Sequence, residues 1–223
     1  NGDGTFLMAR EPDPDFKWSD LKGKSVIGGR KGGMPELILQ HVLRKNGLTP
    51  GVDVEIDTTM QFAAMPGAFL GGKGDYVIIF EPTASSMERE GSAYIVASLG
   101  AESGEVPYTA YFAKKSYIEK NPDIIQKFTN AIYKGQLWVE SHTPEEIAAV
   151  IKPHFPDTDD DILASAIKRY KEQNSYKTNP LLEEDDFYLL QKIIQDAGEL
   201  KDIAPYEEVV TTEFAKKAME TVK

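Results

Sequence analysis

The sequence contains no cysteine among its 223 residues. A thiol nucleophile, an iron–sulfur cluster, a cysteine-ligated zinc ion and a disulfide are therefore all excluded. No stretch approaches about eighteen consecutive apolar residues, so no transmembrane helix is predicted. Basic residues are also scarce: 36 acidic residues against 25 Lys and Arg give a net charge of −11. This balance argues against nucleic-acid binding, which needs a basic face.

The motifs of several enzyme classes are missing as well. His41, His142 and His154 share no metal-ligand spacing, and no GxSxG hydrolase motif occurs. The acidic run Asp157–Asp161 resembles the start of a calcium loop, but Ile162 stands where the sharp turn needs glycine. The sequence therefore predicts no metal site, no cofactor and no catalyst.

What is present is an ordinary globular composition, with 41% hydrophobic and 27% charged residues. Short strand-like segments alternate with helical patterns in the first half, which predicts an α/β fold with a mostly parallel sheet. The predicted strands are Thr5–Ala9, Ser25–Gly28, Val52–Ile56, Tyr76–Phe80, Tyr94–Ala97 and Tyr108–Ala113.

The second half is predicted to be helical. A helix begins at Pro122 after Asn121, and the pattern Thr143-Pro-Glu-Glu146 is a capping box that opens the next helix. Three more helices are predicted, over about Thr158–Gln173, Glu183–Ala197 and Thr212–Thr221.

A glycine-rich loop provides the strongest local signal. Gly32, Gly33 and Met34 lie between a predicted strand and the helix that follows Pro35, where free backbone N–H groups can meet an anion or a polar ligand. The glycines match neither the dinucleotide-binding fingerprint nor the P-loop. The alternative is a tight turn that needs positive φ angles.

A carboxylate follows the apolar strand Tyr76–Phe80. Glu81 would lie at the carboxyl end of that strand, where open α/β sheets bind ligands, and could accept an amine, an amidine or a ring N–H. The alternative is that Glu81 stabilises the N-terminus of the following helix.

Aromatic residues accompany the change from strands to helices. Tyr108 and Thr109 lie where the chain leaves the α/β part, which suits a cleft that stacks on and hydrogen-bonds a small ligand. Trp138 could serve in the same way, although an aromatic residue on an amphipathic helix is more often part of a core.

Three segments together resemble the substrate-binding proteins of ABC importers. They are "DLKGK" with the strand and glycine loop after it, the step from Gly74-Asp75 through a strand to Glu81-Pro82, and "NPDIIQKFTNAIYKG" at 121–135. The chain is most similar to the group that binds sulfonates, nitrate, taurine, or thiamine and its pyrimidine precursors. This resemblance implies a bilobal fold of the type II periplasmic-binding-protein class.

The resemblance also implies a domain organisation. Residues 15–108 would form a complete second lobe, whereas residues 1–14 and 109–223 would form an incomplete first lobe with the C-terminal helices. The chain would then be a fragment, and the exposed apolar surface of its incomplete lobe would favour self-association.

The implied function is that of a non-catalytic extracytoplasmic receptor. It would close its lobes on a small molecule and deliver it to a membrane permease with its ATPase, and a lipid anchor would tether the full-length protein. Glu81 favours a ligand that is cationic or has a ring nitrogen, such as an aminopyrimidine, on which Phe80, Tyr108 and Trp138 could stack. The loop Gly32–Met34 instead favours a small anion such as a sulfonate.

Another alternative is a cytosolic enzyme or ligand sensor on the same fold. The family's thiamine-pyrimidine synthases depend on a cysteine-rich, iron-binding run and an active-site histidine. The absence of cysteine disfavours that reading.

Overall fold

The computed structural model describes residues 1–222 and contains a five-stranded sheet. The strands are β1 (Thr5–Ala9), β2 (Ser25–Ile27), β3 (Glu55–Asp57), β4 (Tyr76–Phe80) and β5 (Tyr94–Ser98), in the spatial order β3-β2-β4-β1-β5. Strand β2 pairs in parallel with β3 and β4, whereas β1 pairs antiparallel with β4 and β5. Four strands therefore share one direction, which confirms the predicted mostly parallel α/β fold.

Strand β1 lies in the middle of this sheet, although residues 1–14 were expected to belong to the other lobe. All five residues of Thr5–Ala9 are buried. Such a strand needs cover on both faces and partners on both edges, which the position between β4 and β5 provides. Residues 5–9 therefore share one sheet with strands from residues 15–108.

Eleven α-helices complete the part of the chain that is described. They are α1 (Met34–Lys45), α2 (Met65–Leu70), α3 (Thr83–Arg89), α4 (Leu99–Ser103), α5 (Lys115–Lys120), α6 (Pro122–Ser141), α7 (Pro144–Ile151), α8 (Asp160–Glu172), α9 (Glu184–Asp196), α10 (Tyr206–Val209) and α11 (Glu213–Thr221). The predicted capping box at Thr143 is confirmed, because its side chain accepts from the Glu146 N–H and the Glu146 side chain accepts from the Thr143 N–H. No helix within residues 1–222 is long and apolar enough to cross a membrane.

The segment Tyr108–Ala113 is not a strand, contrary to the prediction. Residues 109–113 are exposed, and no neighbouring strand pairs with them. Alternation of apolar residues alone does not make a strand without a partner for its backbone hydrogen bonds. Phe112 is 98% exposed as a result.

Two apolar cores hold the elements together. The larger one lies on the sheet and includes Ile193 of α9, while Tyr170 of α8 packs on its edge. The smaller one joins α7 and α8 through Ile147 and Leu163, with Trp138 of α6 beside them. Helices α8 and α9 therefore pack on the sheet although they come late in the sequence.

Helix α6 lacks comparable cover. None of its 20 residues is buried, and Ile124 and Phe128 are 53% and 45% exposed. Tyr111 stands edge-on to Phe128 with ring centroids 4.9 Å apart and is itself 74% exposed. This apolar face of α6 is therefore without a full packing partner in the described chain.

Candidate functional site

A cavity of about 970 Å³ lies at the edge of the sheet where β4 ends and β1 begins. This is the carboxyl edge of the parallel strands, where ligands of open α/β sheets bind. Its lining comes from the start of β1, the end of β4, the segment 106–113, helices α6, α8 and α11, and the loop 175–182. The lining residues on which the description below concentrates include Gly2, Gly4, Phe80, Tyr108, Thr109, Gln136, Tyr170, Tyr176, Lys177 and Asp186.

Aromatic rings form a continuous row at the sheet side of the cavity. Phe80 lies between Phe62 and Tyr108, with centroid separations of 5.3 and 6.2 Å. Gly29 permits the approach of Phe62, because a Cβ atom there would lie 3.1 Å from the Phe62 ring and the glycine has a φ of +81°. The rings are inclined to one another by 55° and 70°, so the row offers both ring faces and ring edges next to the cavity.

Four tyrosines line the cavity, namely Tyr108, Tyr111, Tyr170 and Tyr176, and their hydroxyls differ in hydrogen bonding. The Tyr170 hydroxyl donates to the Gly4 carbonyl at 2.9 Å, and its ring stacks on Phe6 at 6.0 Å. Burial raises the pKa of Tyr108, Tyr170 and Tyr176 above the usual tyrosine value. All three hydroxyls are therefore neutral at physiological pH.

Charge is nearly absent from the cavity wall. Lys177 is the single basic side chain among the described lining residues, and its Nζ lies 3.4 Å from Asp186 Oδ2. An anionic ligand would have to compete with this carboxylate for the lysine.

Glu81 does not line this cavity. Its Oε2 accepts from the Ser85 N–H at 2.9 Å, and its Oε1 accepts from the Ser85 hydroxyl at 2.8 Å and from Arg169. The side chain is 1% exposed, and Arg169 also bonds Glu88 at 2.7 Å. Both carboxylate oxygens are thus engaged inside the protein.

The glycine loop also lies outside the cavity lining. Gly32 has a φ of +69°, and its N–H donates to Glu36 Oε2 at 3.2 Å. Gly33 precedes Met34, the first residue of α1. This geometry matches the tight-turn alternative, and a side chain at Gly32 would meet the carboxylate of Glu199.

Trp138 belongs to the smaller core rather than to the cavity lining. Its ring stacks on His142 with centroids 4.1 Å apart and packs with α7 and α8. Of the seven predicted site residues, the structure brings only Tyr108 and Thr109 to the cavity. Ligand contact stays a prediction for all seven.

Sequence reasoning missed Tyr170, Tyr176 and Asp3. Tyr170 lies within helix α8 and Tyr176 follows it, and neither belongs to a motif that a local pattern reveals. Asp3 lies between Gly2 and Gly4, directly before strand β1. Its position at the start of a buried strand was the signal that could have identified it.

Asp3 is fully buried behind the cavity-lining Gly2 and Gly4. Its Oδ1 accepts from the Thr5 N–H at 2.7 Å and from the Thr5 hydroxyl, while Oδ2 has no hydrogen-bond partner within the described residues. Burial raises the pKa of Asp3 to about 6.

No group of three or more His, Asp or Glu side chains within residues 1–222 is placed to hold a metal ion. The cavity wall presents aromatic surface and neutral hydroxyl groups, which are suited to recognising a ligand.

Comparison with known proteins agrees with this arrangement. A family model described as NMT1/THI5 like matches residues 6–147, which include the sheet and the start of the helical part. The chain belongs to the NMT1/THI5-like family.

Individual relatives extend the comparison. The chain is 49% identical over 215 residues to YtlA of Bacillus subtilis (strain 168), which is named as a binding protein. The aligned region covers 96% of this chain and 64% of YtlA. The periplasmic aliphatic sulphonate binding protein SsuA of Escherichia coli superposes with a TM-score of 0.73 at 20% identity, covering 93% of this chain and 65% of SsuA.

An enzyme also shares the fold. The desulfurization enzyme DszB superposes with a TM-score of 0.65 at 14% identity, covering 98% of this chain and 76% of DszB. Both solved structures are too distant in sequence to show more than a common fold. They confirm the predicted architecture of the periplasmic-binding-protein class.

Removal of Arg169 tests the internal role of Glu81. In Arg169→Met the Glu81 carboxylate stays buried without its cation, so we expect the free energy of unfolding to fall by about 3 kcal/mol. Urea unfolding measures this loss.

Lys168→Met is the matched control, because Lys168 pairs with Glu172 at 3.8 Å where both side chains are about two-thirds exposed. Its expected loss is below about 1 kcal/mol. Equal losses in the two variants would refute the buried pair. Adding Glu81→Gln to Arg169→Met should restore part of the stability.

Asp3 predicts a pH dependence of stability. The pKa of Asp3 is about 6 in the folded chain and about 3.8 when unfolded, so the folded state holds an extra proton between these values. The free energy of unfolding should therefore fall as the pH rises from 4 to above 6, by up to about 3 kcal/mol.

Asp3→Asn removes this titration. The difference in free energy of unfolding between the variant and the original chain should grow in favour of the variant from pH 4 to pH 8. Parallel pH profiles for the two proteins would contradict the burial of an unpaired carboxyl at this position.

Proposed function

We propose that this protein is the extracytoplasmic solute-binding component of an ABC importer. Its membership of the NMT1/THI5-like family, its likeness to YtlA and the periplasmic sulphonate-binding neighbour support this role. In this function the protein captures a small molecule and delivers it to a permease that works with an ATPase. A lipid anchor in the full-length protein is part of the same proposal.

The ligand that the cavity suits best is a small aromatic nitrogen heterocycle of the thiamine or pyrimidine-precursor type, and a neutral pyrimidine precursor suits its nearly uncharged wall better than cationic thiamine. The observation that carries this choice is the wall itself, where Phe80 and Tyr108 supply aromatic surface and the hydroxyls are neutral. Glu81 contributes indirectly in this proposal, by holding Arg169 and helix α8 against the sheet.

A small anion such as a sulfonate, taurine or nitrate is the second candidate. The name of the SsuA neighbour supports it. The pairing of Lys177 with Asp186 weighs against it, because no other basic side chain lines the described cavity.

We further propose that the protein is not an enzyme, although DszB shares its fold. The described cavity wall presents neither a histidine nor an unpaired acid. The chain also lacks the cysteine on which the family's synthases depend.

For the domain organisation, we propose a second lobe made of residues 15–108 together with β1. Residues 109–223 belong to the incomplete first lobe, although α8 and α9 pack on the sheet. The apolar face of α6 then belongs to the interior of the first lobe. In a longer protein such as YtlA, of which this chain spans 64%, additional polypeptide would cover this face. Gln136 on α6 supports the proposal that additional polypeptide covers this helix, because its buried Oε1 has no hydrogen-bond partner within the described residues.

Replacement of Phe80 tests the ligand site. Loss of its ring in Phe80→Leu removes aromatic contact with a bound ring, so we expect 4-aminopyrimidine to bind about threefold to tenfold more weakly. Nuclear magnetic resonance titration measures the dissociation constant.

Phe16→Leu is the control, because Phe16 packs on Trp18 and Tyr76 and lies outside the cavity lining. An unchanged affinity in Phe80→Leu, or an equal loss in the control, would reject this cavity as the ligand site.

The exposed face of α6 predicts self-association of the isolated chain. Phe128 and Ile124 present apolar surface that a second copy can cover. We expect sedimentation velocity to show association that increases with concentration and weakens in Phe128→Glu. A clean monomer at high concentration would contradict this prediction.

A further inference from the structure

Several polar side chains around the cavity are already engaged within the protein. The Thr129 hydroxyl donates to the Ile125 carbonyl at 2.9 Å. Ser175 accepts from Gln173 at 2.7 Å, and Asn179 Oδ1 accepts from the Leu181 N–H at 3.0 Å. These groups hold the wall together and have little capacity left for a ligand.

The lining holds three phenol groups without a hydrogen bond within residues 1–222; Tyr111 is 74% exposed, whereas Tyr108 and Tyr176 are half-buried. Neither the Tyr108 hydroxyl nor the Tyr176 hydroxyl makes a hydrogen bond within residues 1–222, although both residues line the cavity. Tyr170 provides the contrast, because its hydroxyl donates to Gly4 and lies 3.3 Å from the Glu81 backbone nitrogen.

The rings of both tyrosines are fixed by packing. Tyr108 stands edge-on to Phe80 at 6.2 Å, and Tyr176 stands edge-on to Tyr170 at 6.1 Å. A fixed ring holds its hydroxyl in a defined place, so little conformational freedom is lost when a ligand binds. A hydroxyl that packing holds at a cavity wall without a protein partner is suited to bond a ligand.

We propose that Tyr108 and Tyr176 together determine specificity, by hydrogen bonding the ring nitrogen atoms of a neutral aromatic heterocycle. This assignment rests on the proposed function, and it adds Tyr176 and a defined chemical role for each hydroxyl. A phenol donates to an aromatic ring nitrogen, whereas a carbocyclic ring of the same shape offers no acceptor. The site should therefore prefer an aza ring to its carbon analogue.

A matched pair of probes tests this preference. 4-Aminopyrimidine and aniline share the amino group and the ring size, but only the former has ring nitrogen atoms. Nuclear magnetic resonance titration of the 223-residue chain should show tighter binding of 4-aminopyrimidine. Tyr108→Phe and Tyr176→Phe should each weaken that binding about threefold to tenfold and leave the affinity for aniline unchanged.

Tyr133→Phe is the control, because Tyr133 lies on α6 outside the cavity lining and should change neither affinity. The aniline affinity also reports whether each variant keeps a folded cavity. If either Tyr108→Phe or Tyr176→Phe binds 4-aminopyrimidine as tightly as the original chain, the paired assignment is wrong while the proposed function stands. If the original chain binds neither probe, the proposed heterocycle-binding function fails, and this inference fails with it.

Discussion

The buried carboxylate of Glu81 needs a cation, and this requirement determines where helix α8 lies. Arg169 supplies the charge from α8 and also bonds Glu88. A second set of salt bridges joins the same two regions, because Arg89 on α3 pairs with Asp159 and Asp161 at the start of α8. These contacts fasten a late helix to the early sheet, and so create one wall of the cavity.

The position of α8 has direct consequences for recognition. Tyr170 follows Arg169, so the same attachment brings its hydroxyl to Gly4 at the start of β1. Tyr176 packs on Tyr170 and extends the wall. The charged side chains of this region pair with one another and hold these helices on the sheet. The surface that faces the cavity is left aromatic and nearly neutral, which is the basis for preferring a heterocycle to an anion.

The sequence predicted the fold better than the site. A short apolar run was sufficient to predict the strand Tyr76–Phe80, and a capping box was sufficient to predict the helix after Thr143, because burial and capping act over a few neighbouring residues. Local sequence failed for Tyr108–Ala113, because a strand also needs a neighbouring strand for its backbone hydrogen bonds. Glu81 was placed correctly at the end of β4, but its ion pair within the protein was not predicted. Its partner Arg169 is 88 residues away, and no local pattern reveals such a contact.

The central claim is that the cavity at the sheet edge selects a neutral nitrogen heterocycle. Native mass spectrometry tests it most directly when the chain receives 4-aminopyrimidine and ethanesulfonate together at equal concentration. The account predicts a one-to-one adduct with the mass of 4-aminopyrimidine. An adduct with the mass of ethanesulfonate instead would contradict it and would support the anion-binding alternative.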